Sequence, residues 1–171
     1  MENSSSMSRR TFVKAGGAGI LGASILGLAG CGNATAKGDP TKFKLGVSAC
    51  LTGAAAVYGN AHRNGIEVAI KELESKGGKV QFEPNYQDDE GDPEKSVNAY
   101  NNLKDWGMQI LAGPTLTACA TAVSSDSNSD NMFQFVPAAS SVEVVGGDDS
   151  STPRKKNVFQ MCFTDPNQGT A

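Results

Sequence analysis

The sequence carries one histidine, His62, one tryptophan and no Cys-x-x-Cys pair. A zinc site needs several nitrogen or sulfur ligands at short spacing, and a thiol redox centre needs an activated or paired cysteine, so neither has its raw material here. Signatures of hydrolysis and phosphoryl transfer are missing too: there is no nucleophile elbow, no phosphate-binding loop, and no histidine or carboxylate pair placed at a strand end. No metal, cofactor or catalytic residue is therefore expected. Uncharged runs stop short of the roughly 20 predominantly apolar residues that a membrane span requires. Basic residues are scattered, and acidic residues outnumber them 18 to 15, which leaves no electrostatic footprint for nucleic acid. The only basic cluster, Arg154-Lys155-Lys156, reads as a solvated turn.

What is present begins at the N-terminus. Ser8-Arg9-Arg10-Thr11-Phe12-Val13-Lys14 reads as a twin-arginine export signal, and the uncharged stretch from Ala15 to Gly30 as its hydrophobic region. Leu28-Ala29-Gly30-Cys31 resembles the lipobox of bacterial lipoproteins, which implies cleavage before Cys31 and a diacylglycerol on its thiol. The expected product is exported and held on the outer face of the cytoplasmic membrane, or in the periplasm, by that lipid. Within this signal, Gly17-Ala18-Gly19-Ile20-Leu21-Gly22 matches a dinucleotide-binding pattern, but it follows no strand and goes with the signal. Residues 1–30 are thus assigned to the signal peptide, 31–41 to a small, polar tether, and 42–171 to a folded domain, long enough for one core and too short for two. With Cys31 lipidated, Cys50, Cys119 and Cys162 remain, and three thiols cannot all pair.

From Lys42 onward, short apolar runs alternate with helical patterns. Strands are expected at Phe43–Ala49, Val80–Tyr86, Met108–Ala112, Met132–Val136 and Val158–Phe163, and helices near 58–76, 93–106 and 117–127. Such a βαβ series implies an α/β fold, an open parallel sheet with helices on both faces. Ile66, Ala69, Ile70 and Leu73 mark one face of the first helix, and Gly77-Gly78 ends it. Asp92 is placed to cap the second helix, with Pro93 at its first position. The acidic run Asp88-Asp89-Glu90-Gly91-Asp92 lacks the twelfth-position glutamate of a calcium loop and reads as a solvated loop plus that cap.

In an open parallel sheet, ligands bind beyond the carboxyl ends of the strands, where helix starts present unpaired amides. The segments there are Leu51 to Gly59, Gly113-Pro114-Thr115-Leu116-Thr117 and Pro137-Ala138-Ala139-Ser140-Ser141. The chain resembles the type I periplasmic-binding-protein family of branched-chain amino-acid importers in seven ordered words. These are Leu45-Gly46-Val47 with Leu51-Thr52-Gly53 and Tyr58-Gly59; Asn64-Gly65 leading into Ala69; Lys76-Gly77-Gly78; Asp88-Asp89 with Asp92-Pro93; Ala112-Gly113-Pro114; Pro137-Ala138-Ala139-Ser140; and Phe163-Thr164-Asp165-Pro166 with Gln168-Gly169.

The resemblance implies the first lobe of a solute receptor, partnered by ABC permease subunits and taking an amino acid, branched-chain by analogy. It puts the Thr117 hydroxyl and Ser140 on the ligand carboxylate, the Ser140 hydroxyl and the Ala138 carbonyl on the ammonium, and Tyr58 as an aromatic wall, with Thr164 and Asp165 at the hinge. A membrane-tethered sensor of the same fold is the alternative. The family's disulfide is absent, since Gly91 and Leu116 stand in its places, whereas Cys50 and Cys119 are expected to be near neighbours. The resemblance also implies that a second lobe follows Gln168-Gly169-Thr170-Ala171. The expectation for the 171-residue polypeptide alone is weak binding or none, and a gene fragment stays open.

Overall fold

The computed structural model describes residues 42–170. The signal (1–30), Cys31 and the tether (31–41) lie outside the described residues. Five strands occur in the anticipated order: β1 (Lys42–Ala49), β2 (Gln81–Asp88), β3 (Ile110–Ala112), β4 (Phe133–Val136) and β5 (Val158–Gln160). All pair in parallel, in the order β2-β1-β3-β4-β5. The helices are α1 (Ala56–Ser75), α2 (Pro93–Trp106), α3 (Thr117–Ser129) and a single turn α4 (Asp165–Gln168), with a 3₁₀ turn at Val142–Val144.

Local chemistry explains the boundaries. At the end of α1, the Gly78 N–H donates to the Leu73 carbonyl and the Gly77 N–H to that of Glu74, each at 3.0 Å, with Gly77 left-handed at φ +71°. That paired closure satisfies two carbonyls the helix would otherwise leave open, and it uses the glycines where the sequence has them. Asp92 caps α2 by accepting from the Lys95 N–H at 2.9 Å, and Pro93 needs no donor there. The second strand runs two residues past its expected end because β1 pairs it in full register, from Lys42↔Gln81 to Ala49↔Asp88. Its Pro84 is tolerated since β2 is an edge strand. The fifth strand stops at Gln160, three residues short of the expectation. Beyond that point β4 offers one last acceptor, the Val136 carbonyl, to the Met161 N–H at 3.0 Å, and the chain turns so that the Asp165 N–H reaches the Ser140 carbonyl at 2.9 Å.

Right-handed crossovers put α1 on one face of the sheet and α2 with α3 on the other. On the α1 side, Leu45, Val47 and Ala112 pack with Ile66, Ile70, Phe82 and Tyr86. On the opposite side, Tyr100, Leu103, Met108, Leu111 and Val123 form a second cluster, and Ala120, Val136, Val144 and Val158 a third toward β5. Trp106 closes α2 at the amino end of the sheet, where Lys44 Nζ donates to its carbonyl at 2.9 Å and lies 4.8 Å over its ring. On the α1 side of β4 and β5, Phe133 and Phe159 stack at 4.9 Å between centroids and stay half exposed.

The reading of Arg154-Lys155-Lys156 as a solvated turn needs correction. Lys155 is only 7% exposed. Its Nζ donates to Ser124 Oγ at 3.0 Å and to the carbonyls of Glu143 and Val144 at 2.6 and 3.2 Å. Burial pushes its pKa down, against the attraction of Glu143. The ammonium ties the 142–157 excursion to α3, while its neighbours Arg154 and Lys156 stay in solvent.

Candidate functional site

The strand order sets the location. The chain winds outward from β1 to β2 on one side and from β1 through β3 to β4 and β5 on the other, so connections diverge between β1 and β3. At such a switch point the loops leaving the two strands separate and open a crevice at their carboxyl ends. The β1–α1 loop, the β3–α3 loop and the β4–β5 loop all begin there.

The first loop is braced by an acid. Asp88 Oδ1 accepts from the backbone amides of Leu51 at 2.8 Å, Thr52 at 3.3 Å and Glu90 at 2.9 Å, and Oδ2 from the Thr52 hydroxyl at 2.6 Å. Partial burial raises its pKa, but these donors outweigh that and hold the carboxyl below its ordinary value. Asp89 is fully buried, accepting from Ser48 Oγ at 2.8 Å and the Gly91 N–H at 2.9 Å, and burial pushes its pKa up. The acidic run is therefore a cap and a brace, and only partly solvated. Replacing Asp88 with alanine is expected to speed amide hydrogen exchange at Leu51 and Thr52 about tenfold, roughly the worth of one lost bond to a charged group, with strand amides unchanged. Because its pKa is depressed, the brace holds above the ordinary carboxylate pKa. It fails as pH falls through the lower, folded-state value.

The second and third loops meet. The Ser140 N–H donates to Thr117 Oγ1 at 3.3 Å, which joins two of the anticipated binding residues across 23 positions of sequence. Thr117 is the first residue of α3, and Leu116 before it supplies no side-chain acceptor, so the amides of the first turn have no cap. By accepting from Ser140, the Thr117 hydroxyl directs its own proton elsewhere. Both residues are half-buried, and Ala138 is exposed. The Ala139 carbonyl is taken by the Gln160 amide and by Cys162 Sγ, whereas among the described residues the Ala138 carbonyl has no partner. Tyr58 stands in the first turn of α1, 63% exposed, and so is not a core residue.

One expectation about this site changes. Ser140 does not begin a helix. The chain past it forms only a three-residue 3₁₀ turn, capped by Ser141 Oγ accepting from the Glu143 N–H at 3.2 Å, and then breaks at Gly146 and Gly147, both at positive φ. A turn that short adds no helix dipole, so of the loops that carry Thr117 and Ser140 only the one before α3 ends in a dipole.

Three further contributors are not evident in the sequence as parts of the site. Asp88 braces the first loop, Gln160 holds the third, and His62 Nδ1 lies 3.0 Å from Thr115 Oγ1 in the second. The one sequence signal for His62 is its spacing, one helical turn after Tyr58 on the same side of α1. Burial lowers the His62 pKa to about 4 from an ordinary 6.5. Between those values the unfolded chain takes up a proton that the folded chain refuses, so His62 costs stability as pH falls through that window. Cys50 and Cys119 are buried free thiols whose pKa values burial raises, with Cys50 adding to the rise at Cys119. Gly91 and Leu116 face each other, a Cβ on the glycine falling 3.0 Å from Leu116 Cδ1.

The model of the family described as periplasmic binding protein matches residues 42–171. The chain belongs to that family. Among curated relatives it is 31% identical over 129 residues to the Leu/Ile/Val-binding protein BraC3 of Rhizobium johnstonii, covering 72% of this chain and 33% of that one. This periplasmic binding protein chain thus spans about a third of the length of the curated relatives it matches. Among the solved structures that share its fold are the following two. One is the branched-chain amino-acid transporter substrate-binding protein LivJ from Streptococcus pneumoniae in complex with isoleucine, at TM-score 0.65 and 20% identity, covering 72% of this chain and 34% of that one. The other is an ABC transporter solute-binding protein from Rhodopseudomonas palustris in complex with 3,4-dihydroxybenzoic acid, at TM-score 0.62 and 22% identity, covering 72% and 32%. The fold is that of a type I periplasmic-binding-protein lobe.

Proposed function

We propose that the chain is the first lobe of the extracytoplasmic solute receptor of an ABC importer, and that its ligand is an amino acid, branched-chain by preference. The observation that carries this reading is the 3.3 Å contact between the Ser140 N–H and Thr117 Oγ1 beside the switch point. A carboxylate arriving there meets the hydroxyl proton of Thr117 and the uncapped amides of α3, and draws the Ser140 N–H away from Thr117 Oγ1, all of them neutral donors. The Ala138 carbonyl accepts from the ammonium, joined by the Ser140 hydroxyl, and Tyr58 walls the side. Permease subunits are the partners in transport. The twin-arginine signal over residues 1–30 and a lipid on Cys31 carry the receptor out and hold it at the membrane through the tether of residues 31–41.

A carboxylate pocket also suits an aromatic acid, as in the Rhodopseudomonas palustris relative. The unpartnered Ala138 carbonyl favours the amino acid, since an aryl acid brings no ammonium to it. Calorimetric titration of the full-length protein with leucine, isoleucine, valine and 3,4-dihydroxybenzoate separates the two. The expected result is leucine binding at about micromolar or tighter, a free energy near −8 kcal/mol, with the aryl acid at least about a hundredfold weaker. The reverse order would overturn the amino-acid reading.

A further inference from the structure

We propose that His62 is a positioning residue for the ligand site, tying the helix that carries Tyr58 to the loop that delivers Thr117. This rests on the proposed ligand site at Thr117 and Ser140. The ring lies across the switch point. Its Nδ1 is 3.0 Å from the hydroxyl of Thr115, a residue only 3% exposed, two positions before Thr117. Its Cε1 packs over Gly113, 3.3 Å from where a Cβ would stand. From α1 the same side chain descends one turn below Tyr58, so one imidazole joins the aromatic wall to the carboxylate donors. Asp88 braces the β1–α1 loop from the β2 side, and His62 braces α1 from the β3 side.

The surroundings keep the ring neutral. From the β3–α3 loop it meets Gly113 and Thr115, neither of them titratable. On its own helix, Tyr58 lies one turn before it and Arg63 beside it in sequence, the latter facing Glu67 at 3.8 Å. Burial alone accounts for its depressed pKa. A neutral imidazole at fixed distance is a rigid spacer. A charged one in this seam would need water, and water would part the helix from the loop.

The test uses the full-length protein, second lobe included, with leucine as probe and four variants: His62→Leu, His62→Asn, Thr115→Val and the double His62→Leu/Thr115→Val. The ring-proton resonance that disappears in His62→Leu is assigned to His62. That resonance should hold its neutral position down to about pH 5 and titrate near pH 4. Leucine affinity should fall about tenfold in His62→Leu and in Thr115→Val, the worth of one partly buried hydrogen bond. The double variant should fall little further than either single one, because both delete the same link. His62→Asn, whose amide occupies the place of Nδ1, should return affinity to within about threefold. A resonance that titrates at the ordinary histidine value, a His62→Leu protein that binds leucine as tightly as the parent, or failure of asparagine to rescue would overturn the proposal. If His62→Leu does not fold, Thr115→Val decides, since it removes only the hydroxyl. A parent that binds no leucine overturns the ligand reading instead. Amide exchange at Leu116 and Thr117 then judges the tie itself: faster in His62→Leu upholds it, and unchanged overturns it.

Discussion

Replacing Gly113 with alanine is expected to cost about 4 kcal/mol of stability, enough to unfold much of the chain at room temperature. Gly113 sits at φ +106°, which an L side chain rarely adopts, and a Cβ there would stand 2.1 Å from the Ser48 carbonyl oxygen. Neither group can step aside. The Gly113 N–H is spent on the Phe135 carbonyl at 2.7 Å, its carbonyl accepts from Gln134 Nε2 at 3.0 Å, and Ser48 lies in β1, paired on both sides. Relief would require β3 to part from β1, which opens the switch point itself. Gly65 provides the control. It lies within α1 with nothing inside 4 Å of an added Cβ, so alanine there should be neutral or stabilise by up to about 1 kcal/mol. Urea denaturation of both variants measures the contrast. A Gly113→Ala protein as stable as the parent would mean that the loop does not cross β1 at that close approach.

Lys155→Ala should destabilise by about 3 kcal/mol, lowering the urea midpoint by about 1–2 M at the slope of a small domain. The loss is not chiefly one of charge. Two carbonyls, those of Glu143 and Val144, and the Ser124 hydroxyl lose their shared donor inside a packed seam between α3 and the 142–157 excursion. Lys155→Met keeps the stem and should be nearly as damaging, which separates the missing donor from the missing volume. Lys156→Ala, one position on and exposed, should leave the midpoint within about 0.3 M, as a surface change does. If all three behaved alike, the ammonium would not be what holds the seam.

These two positions mark where the sequence can and cannot be read. Caps and helix ends are legible because their chemistry is local: Asp92-Pro93 and Gly77-Gly78 act on amides and carbonyls within a few residues. Sheet membership follows from short apolar runs separated by helical periods. The buried state of Lys155 is not legible, since it depends on how residues 142–157 fold back on α3, and three consecutive basic residues look soluble whatever covers the middle one. Asp89 fails to reveal itself for the same reason. Within the site, Thr117 and Ser140 emerge through the family resemblance, and only the fold puts one against the other. The short 3₁₀ turn after Ser140 escapes notice because Val142–Val144 carries no periodic pattern long enough to distinguish a turn from a helix. In sequence His62 is a lone imidazole without a metal partner. Its bond is to a hydroxyl 53 positions away, which no spacing rule anticipates.

The placement of Trp106 bears on how the protein can be followed in solution. It is the only indole in the chain, and it seals the seam between α2 and β1 under Lys44, at the end of the sheet opposite the crevice. Its emission therefore tracks melting of that seam and is insensitive to a solute settling at the far rim. Trp106 emission that stays flat during titration would carry no news about affinity, and heat or a resonance from the rim itself has to serve in its place.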